Sequence, residues 1–312
     1  MAFADLKNDF VFRRIFATHP NILRGLLNDL LDRRDKEAIV SIEYLPSEQL
    51  PLVIGAKLSI LDVRCKDRAG TTFVVEMQLI HVPGFINRVV YNACKAYVSQ
   101  LKARDKFKQL ADVVAISICD FELWPDAKQF EQEPRLPLVP MLSRWNMTER
   151  ASGNRGLLQV QYAFLELPKL PERKPETAGA AYWAWLFVHA PELSEMPADL
   201  PQGPFREALE LANEATFSQE ERDAYQRVID EIQQVRELAE AKWAEGKIEG
   251  KIEGKIEEAA RNLLTVLRVR AVAVPDVARE RILAEKDPEQ LERWHEKAIV
   301  AASVDEVLDE PS

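Results

Sequence analysis

The 312-residue sequence predicts an α/β fold with a helical C-terminal extension. In the first half, segments with apolar residues at helical spacing alternate with short runs rich in β-branched residues, as in a sheet flanked by helices. Residues 113–119 (VVAISIC) form a continuous apolar run between polar segments, which is typical of a central buried strand. After Pro171 the sequence changes to helix-forming segments, which predict the extension.

The first elements are predicted to be two helices followed by three strands. Apolar residues recur at helical spacing through residues 9–31, and Pro20 divides this segment into two helices, the second capped by Asn21. Runs rich in β-branched residues predict strands at 38–45, 57–65 and 72–80. The intervening sequence KDRAG has the Asp and Gly typical of a turn, so the last two strands are predicted to form a β-hairpin.

The rest of the chain is predicted to contain a helix at 85–101, strands at 113–119 and 158–167, and later helices at 177–189, 204–215 and 218–243. Ser218 and Glu221 have the spacing of a capping box. The sequence G-K-I-E then occurs three times from Gly246 to Glu257, and its glycines and like charges at i,i+4 predict a weak helix or a semi-flexible spacer. We therefore expect a core at 1–170, a helical extension at 171–243, a spacer at 244–258 and a small helical module at 259–312.

Charge, cysteine content and hydropathy limit the functional classes. The net charge of −10 divides into +5 over residues 1–110 and −15 over 111–312, so a polyanion-binding surface is expected in the first third. Three cysteines without metal-ligand spacing predict buried free thiols rather than disulfides or a zinc site. The most apolar stretch, 178–190, is shorter than the ~18 residues of a membrane span, and the N-terminus lacks a signal-peptide pattern. We expect a cytoplasmic protein without membrane contact.

The predicted hairpin brings two acidic residues together. A turn centred on residue 69 places Asp62 opposite Glu76 and Ile60 opposite Gln78. Directly opposed Cβ atoms lie about 5 Å apart, so the two carboxylates repel each other unless a cation neutralises them. Mg²⁺ suits this position because it binds one or two carboxylates together with phosphate oxygens.

A second interpretation of the same spacing is a solvent-facing hairpin without a metal. In that arrangement Asp62 pairs with Arg64 or Lys57, and Glu76 is exposed. The spacing by itself leaves both arrangements open.

Several motifs follow one another along the first 170 residues: DFVFRRIF at 9–16, KLSILDV at 57–63, VEMQ at 75–78, RVVYNACKAYVSQL at 88–101 and LELPK at 165–169. With these motifs the chain resembles the Rpn family of recombination-promoting nucleases, which are transposase-like members of the PD-(D/E)XK nuclease superfamily. The G-K-I-E repeat and the tail around Trp294 are also similar to the repeat and the short C-terminal domain of such proteins.

The resemblance implies a restriction-endonuclease-like core, in which a mixed central sheet is flanked by helices and acids of two neighbouring strands bind Mg²⁺. In this chain the acids are Asp62 and Glu76, as metal ligands and catalytic residues. Gln78 occupies the position where the superfamily usually has lysine, and it is expected to orient the attacking water without supplying a charge or a base. The implied function is a Mg²⁺-dependent endodeoxyribonuclease that hydrolyses phosphodiester bonds, linked to recombination or transposition.

The alternative function is that of a nuclease-derived DNA-binding or interaction protein that cleaves slowly or not at all. In both cases DNA is the expected partner in the first third of the chain. Homo-oligomer formation is expected through the C-terminal helices.

Further candidate residues lie on two helices. Asp9 is either an outer-shell metal contact or the N-cap of the first helix. Arg88, Tyr91 and Lys95 share one helix face and are candidates for contact with DNA. In the alternative, Tyr91 packs on the sheet and Arg88 pairs with an acid, and Tyr97 is expected to pack on the sheet in either case.

Overall fold

The computed structural model describes residues 2–49, 59–101, 104–125 and 138–308, with all their side chains except those at 49, 59, 60, 236 and 239–255. It contains two compact units, Met1–Ile229 and Asp230–Ser312. The first unit has a six-stranded mixed sheet with helices on both faces, and the second is helical, so the predicted α/β fold with a helical extension is confirmed. Among the helices described, none combines the length and apolarity needed to cross a membrane.

The strands of the sheets are β1 (Ile42–Tyr44), β2 (Glu48–Gln49), β3 (Ser59–Ile60), β4 (Val63–Asp67), β5 (Thr72–Gln78), β6 (Val113–Cys119), β7 (Leu142–Met147) and β8 (Leu157–Glu166). The large sheet has the order β1-β4-β5-β6-β8-β7, and β2 pairs separately with β3. Strands β5, β6 and β8 are parallel, whereas the other neighbours are antiparallel. Strand β6 is buried throughout, as its continuous apolar run predicts.

The helices are α1 (Asp9–Phe16), α2 (Pro20–Leu31), α3 (Phe85–Val98), α4 (Ala180–His189), α5 (Pro204–Leu211), α6 (Gln219–Val269), α7 (Asp276–Ala284), α8 (Pro288–Val300) and α9 (Val304–Leu308). On one face of the sheet, α1, α2, α4 and α5 form the main core, which includes Phe16 and Trp183. On the other face, α3 packs through Phe85, Val89 and Ala93. Alternate residues of β5 therefore enter different cores, and the side chains that face α3 include Glu76.

Two helix starts differ from the sequence prediction. Asn8 caps α1, because its side chain accepts hydrogen bonds from the N–H groups of the second and third helical residues. The prediction of Asp9 as the N-cap is therefore wrong. In α2, His19 is the N-cap and Pro20 is the first helical residue, so the prediction of Asn21 as a cap is also wrong. The fixed φ of proline suits the first helical position, and the helix therefore starts two residues earlier than a cap at Asn21 predicts.

The predicted strand at 57–65 is wrong as a single element. Its first two residues lie outside the described chain, Ser59–Ile60 pair with β2, and only Val63–Lys66 pair with β5. Ile60 lies opposite Glu48, so its predicted pairing with Gln78 does not occur. Because the chain changes pairing partner between β3 and β4, Asp62 lies in a bend rather than in a strand.

Three further predictions concern the hairpin register, the first strand and the cysteines. The register of the β4–β5 hairpin is confirmed, with Val63 opposite Val75. The strand predicted at 38–45 is reduced to Ile42–Tyr44. All three cysteines are free thiols, but Cys94 is exposed on α3 and contradicts the prediction of three buried thiols.

The C-terminal unit has its own core, formed by the end of α6 with α7, α8 and α9 around Leu291 and Trp294. The predicted capping box at the start of α6 is confirmed, because Glu221 N–H donates to Ser218 Oγ (3.2 Å) and Ser218 N–H donates to the Glu221 carboxylate (2.8 Å).

The helix predicted to end at 243 continues to Val269 and includes the G-K-I-E repeat. The stretch contains no proline, the residue that most strongly breaks a helix. The helix continues through its interior glycines. The four-part division of the chain stays a prediction.

Gly25 marks a close approach of two helices, and its replacement by alanine should destabilise the protein. In the interior of a helix alanine is normally favoured by about 1 kcal/mol. Here a Cβ atom would lie 2.7 Å from Cγ of Pro204, whose rigid ring begins α5. Since overpacking destabilises a core by about 1–3 kcal/mol, we expect Gly25→Ala to lower the free energy of unfolding in chemical denaturation. Adding Pro204→Gly, which removes both Cγ (2.7 Å) and Cβ (2.8 Å), should restore part of the loss, and an unchanged stability of Gly25→Ala would contradict this contact.

Candidate functional site

Glu76 is a buried acid near the end of β5. Only 8% of the residue is exposed. Its Oε1 accepts a hydrogen bond from Asn92 Nδ2 of α3 (2.8 Å), whereas its Oε2 is buried without a hydrogen-bond partner among the described residues. Burial raises the pKa of Glu76, and the charge of Arg88 and the Asn92 hydrogen bond oppose this rise only in part. The alternative of a solvent-facing hairpin with an exposed Glu76 is therefore wrong.

Asp62 lies in the bend before β4, with its carboxylate between β5 and α1. Its Oδ2 accepts a hydrogen bond from Met77 N–H (2.8 Å), and its Oδ1 accepts one from Arg13 Nη2 (3.2 Å). The alternative pairing of Asp62 with Arg64 is not found, and Lys57 lies outside the described residues. The partner of Asp62 thus comes from a helix 49 residues earlier in the chain.

Burial and neighbouring acids act on the Asp62 carboxylate. Burial raises the pKa of Asp62 to about 6, and the charges of Asp9 and Glu76 add to the rise. Met77 N–H and the charge of Arg13 act in the opposite direction without cancelling it. The site therefore contains two carboxylates whose ionised forms are disfavoured mainly by burial.

Asp9 reaches this site only through Arg13 in the described contacts. Its Oδ1 accepts a hydrogen bond from Arg13 Nε (3.0 Å), four residues later on the same helix face. Half of the Asp9 side chain is exposed. An outer-shell contact of Asp9 with a metal stays a prediction.

Gln78 ends β5, and both ends of its amide group have partners within the chain. Nε2 donates to the carbonyl oxygen of Ile80 (2.9 Å), and Oε1 accepts a hydrogen bond from Arg88 of α3. Arg88 is exposed and lies close enough to Glu76 for its charge to favour the ionised carboxylate. Arg88 therefore joins the site through the Gln78 amide rather than through an acid.

The other candidate residues of α3 differ in exposure. Tyr91 is 42% exposed, whereas Lys95 is 4% exposed and its Nζ lies 5.6 Å from the centre of the Tyr91 ring. Tyr97 is half-buried and packs in the core between α3 and the sheet, as predicted. Contact with DNA stays a prediction for Arg88, Tyr91 and Lys95, and of these only Arg88 and Tyr91 lie at the surface.

The donors of Asp62 and Glu76 fit a hard divalent cation. Both residues offer carboxylate oxygens, and a cation would supply the partner that the buried Oε2 of Glu76 does not have in the described part of the chain. Over the described ranges, no three His, Cys, Asp or Glu side chains are grouped so that they could hold a metal. A metal bound here would need water or phosphate oxygens to complete its shell, which is the coordination typical of Mg²⁺.

The chain is thus an α/β protein with a mixed sheet, one acid on β5 and a second acid in the bend before β4, which is the arrangement that the resemblance to nucleases implies. The sequence model of the PD-(D/E)XK nuclease family transposases matches residues 6–236, which is well over half of the chain. The protein therefore belongs to this family, and the membership predicted from the motifs is confirmed. Comparison with curated proteins and with solved structures gave no match.

Sequence reasoning missed two residues that hold the acids, Arg13 and Asn92. Asn92 interrupts the buried face of α3, which otherwise carries apolar residues such as Val89 and Ala96. A polar residue in an apolar helix face was thus the available signal. No local pattern pointed to Arg13, because its contact with Asp62 spans 49 residues.

The raised pKa of Asp62 predicts how stability depends on pH in the metal-free protein. Between an ordinary value of about 4 and the folded value of about 6, the folded state binds more protons than the unfolded state. The contribution of Asp62 to the free energy of unfolding therefore falls as pH rises through this window. Asp62→Asn lacks this term, so its stability relative to the wild type should increase from pH 4 to pH 7, by at most about 3 kcal/mol. Urea denaturation in EDTA measures the difference, and a difference independent of pH would contradict the shift.

Proposed function

We propose that the protein is a metal-dependent DNA endonuclease that hydrolyses phosphodiester bonds during recombination or transposition. The observation that carries the proposal is the buried Oε2 of Glu76, which has no hydrogen-bond partner among the described residues and belongs to a carboxylate that acts on Asp62. Buried carboxylates with shifted pKa values are typical of functional sites. The family of the chain supports a nuclease rather than another use of this pair.

Asp62 and Glu76 are the residues that would hold Mg²⁺. When bound, the ion supplies polarisation of the scissile phosphate and a water molecule of lowered pKa. Met77 N–H and Asn92 fix one oxygen of each carboxylate, so the remaining oxygens are oriented before any ligand binds. Both carboxylates must lose their protons to bind the ion, and the raised pKa values make this step dependent on pH.

A second candidate function is DNA binding or protein interaction with little or no cleavage. It is favoured by Gln78, since both ends of its amide group are engaged by Ile80 and Arg88. To orient an attacking water, the amide would have to give up one of these hydrogen bonds. It also supplies no positive charge where a lysine would.

DNA is the proposed partner, and two further proposals concern assembly and location. Association of C-terminal helices between copies of the chain is supported by exposed apolar side chains in this unit, which include Val277, Leu283, Ile299 and Val300. A cytoplasmic location is proposed because the thiols of Cys65, Cys94 and Cys119 are free.

Incubation of supercoiled plasmid DNA with the full-length protein tests the proposed function. Nicked or linear products are expected with Mg²⁺ and not with EDTA, and Asp62→Asn should form none. Glu43→Gln is a matched control, because it removes an exposed acid of β1 that pairs with Lys66, and it should cleave as the wild type does. A folded wild-type protein that binds the plasmid but leaves it intact would favour the second candidate function.

Gln78 gives a further prediction. If its amide orients the attacking water, Gln78→Ala should retain Mg²⁺ binding and lose cleavage by ~10- to 1000-fold, as for one positioned catalytic group. Calorimetric titration and initial cleavage rates measure the two effects separately. Loss of Mg²⁺ binding in this variant would instead place Gln78 among the metal ligands.

A further inference from the structure

Arg13 lies between two acids at the edge of the candidate site. Its Nε donates to Asp9 Oδ1 (3.0 Å), and its Nη2 donates to Asp62 Oδ1 (3.2 Å). About 43% of the Arg13 side chain is exposed, so the guanidinium group is in contact with solvent as well as with the acids. Within the described part of the chain, these two are the hydrogen bonds that the structure shows for the guanidinium group.

The position of Arg13 conflicts with binding of a cation by Asp62. Of the two carboxylate oxygens, Oδ2 is held by Met77 N–H (2.8 Å), which belongs to the backbone of β5. The other oxygen, Oδ1, is the one that Arg13 contacts. Because like charges repel at such distances, a divalent cation bound at Asp62 Oδ1 would weaken this hydrogen bond.

The contact with Asp9 limits where Arg13 can go. Asp9 precedes Arg13 by four residues on α1, so the two side chains lie on the same face of the helix. With Nε held by Asp9, the Nη groups can leave Asp62 while the side chain stays at the site. The nearest new anion that a DNA substrate would bring to this site is a backbone phosphate, whose geometry matches the guanidinium fork.

We propose that Arg13 is a phosphate-contacting residue that occupies Asp62 Oδ1 in the absence of metal and moves its Nη groups to a DNA phosphate when Asp62 binds the cation. Asp9 is then a positioning residue that acts through Arg13. This inference rests on the proposed function, because it requires DNA and a metal at Asp62.

Metal affinity tests the first half of the proposal. In calorimetric titration of the full-length protein with Mg²⁺, Arg13→Gln should bind about two- to fivefold more tightly than the wild type, which corresponds to loss of one partly exposed ion pair. Arg34→Gln is the matched control, because Arg34 also contacts two acids, Asp29 (2.9 Å) and Asp32 (3.8 Å), away from the site. It should bind Mg²⁺ as the wild type does.

Affinity for DNA tests the second half. The wild type and the variants are titrated into a short labelled duplex at several salt concentrations, with Ca²⁺ as a hard cation and with EDTA. In Ca²⁺, Arg13→Gln should reduce the slope of log affinity against log salt by about one, as for loss of one phosphate contact. Arg13→Lys keeps the charge without the fork, so both its salt slope and its Mg²⁺ affinity should stay near those of the wild type.

The outcomes separate this inference from the function on which it rests. Equal or weaker Mg²⁺ binding by Arg13→Gln, or an unchanged salt slope for Arg13→Gln in Ca²⁺, would overturn the role of Arg13 and leave the nuclease proposal standing. A wild-type protein that does not bind Mg²⁺ would overturn both. If circular dichroism shows that Arg13→Gln does not fold, Arg13→Met, which also removes the charge, is judged by the same two criteria.

Discussion

Glu76→Gln is expected to lower Mg²⁺-dependent DNA cleavage by at least ~100- to 1000-fold, the range for loss of one preorganised electrostatic contact. Glutamine keeps the carbonyl oxygen that can accept the hydrogen bond from Asn92, but it loses the anionic oxygen that the cation requires. Because burial disfavours the ionised carboxylate of Glu76, the metal-free variant should be as stable as the wild type or more stable. Plasmid cleavage and thermal denaturation in EDTA measure the two effects.

The Glu76 experiment separates a catalytic acid from a structural one. Glu43→Gln should change neither cleavage nor stability, since Glu43 is exposed on β1. Full cleavage by a folded Glu76→Gln protein would exclude Glu76 as a metal ligand. A marked loss of stability in EDTA would show instead that the Glu76 carboxylate holds α3 on the sheet.

The three parallel strands could be predicted from the sequence to within two residues at each end. Strands β5, β6 and β8 are buried over much of their length, so their apolar and β-branched runs are long enough to stand out. Strand β7 was not predicted, because its sequence LSRWNM has no clear alternation and its position depends on pairing with β8. The strongest local signals therefore came from the buried parallel strands, of which β5 carries Glu76 and Gln78.

The hairpin shows what the sequence could and could not provide for the site. The β4–β5 register follows from the KDRAG turn, so the proximity of Asp62 and Glu76 could be predicted. The bend at Asp62 could not be predicted. It arises because β3, which precedes it, pairs with β2 and does not continue along β5. At this bend the Asp62 carboxylate accepts the hydrogen bond from Met77 N–H, which in a continuous strand a backbone carbonyl would accept.

Contacts between segments that are distant in the sequence were the main feature of the site that could not be predicted. Helical spacing correctly predicted α1, yet it gave no reason for Arg13 to meet an acid from the hairpin. Such a contact depends on how α1 packs on the sheet. The sequence therefore predicted the helices and strands more completely than it predicted the contacts of single residues.

The LELPK motif, which contributed to the family resemblance, has a structural role at the end of β8. Glu166 is fully buried, and its Oε2 accepts hydrogen bonds from the N–H groups of Leu123 (2.8 Å) and Trp124 (3.3 Å). Lys169 Nζ donates to the Glu166 carboxylate (3.1 Å) and to the carbonyl oxygens of Trp124 (2.7 Å) and Val139 (3.0 Å). One ion pair thus fastens two loop segments to the edge of the sheet.

Glu166→Ala is expected to destabilise the protein by about 3–5 kcal/mol, because it leaves the partly buried Lys169 without its counter-ion. It also removes the acceptor for two backbone N–H groups, which then need other partners. Glu176→Ala is the matched control, since it removes the acid of an i,i+3 pair with Arg173 in which both side chains are largely exposed. That change should cost at most about 1 kcal/mol. Urea denaturation of both variants measures the difference, and equal losses would show that burial of the Glu166–Lys169 pair does not stabilise the loops.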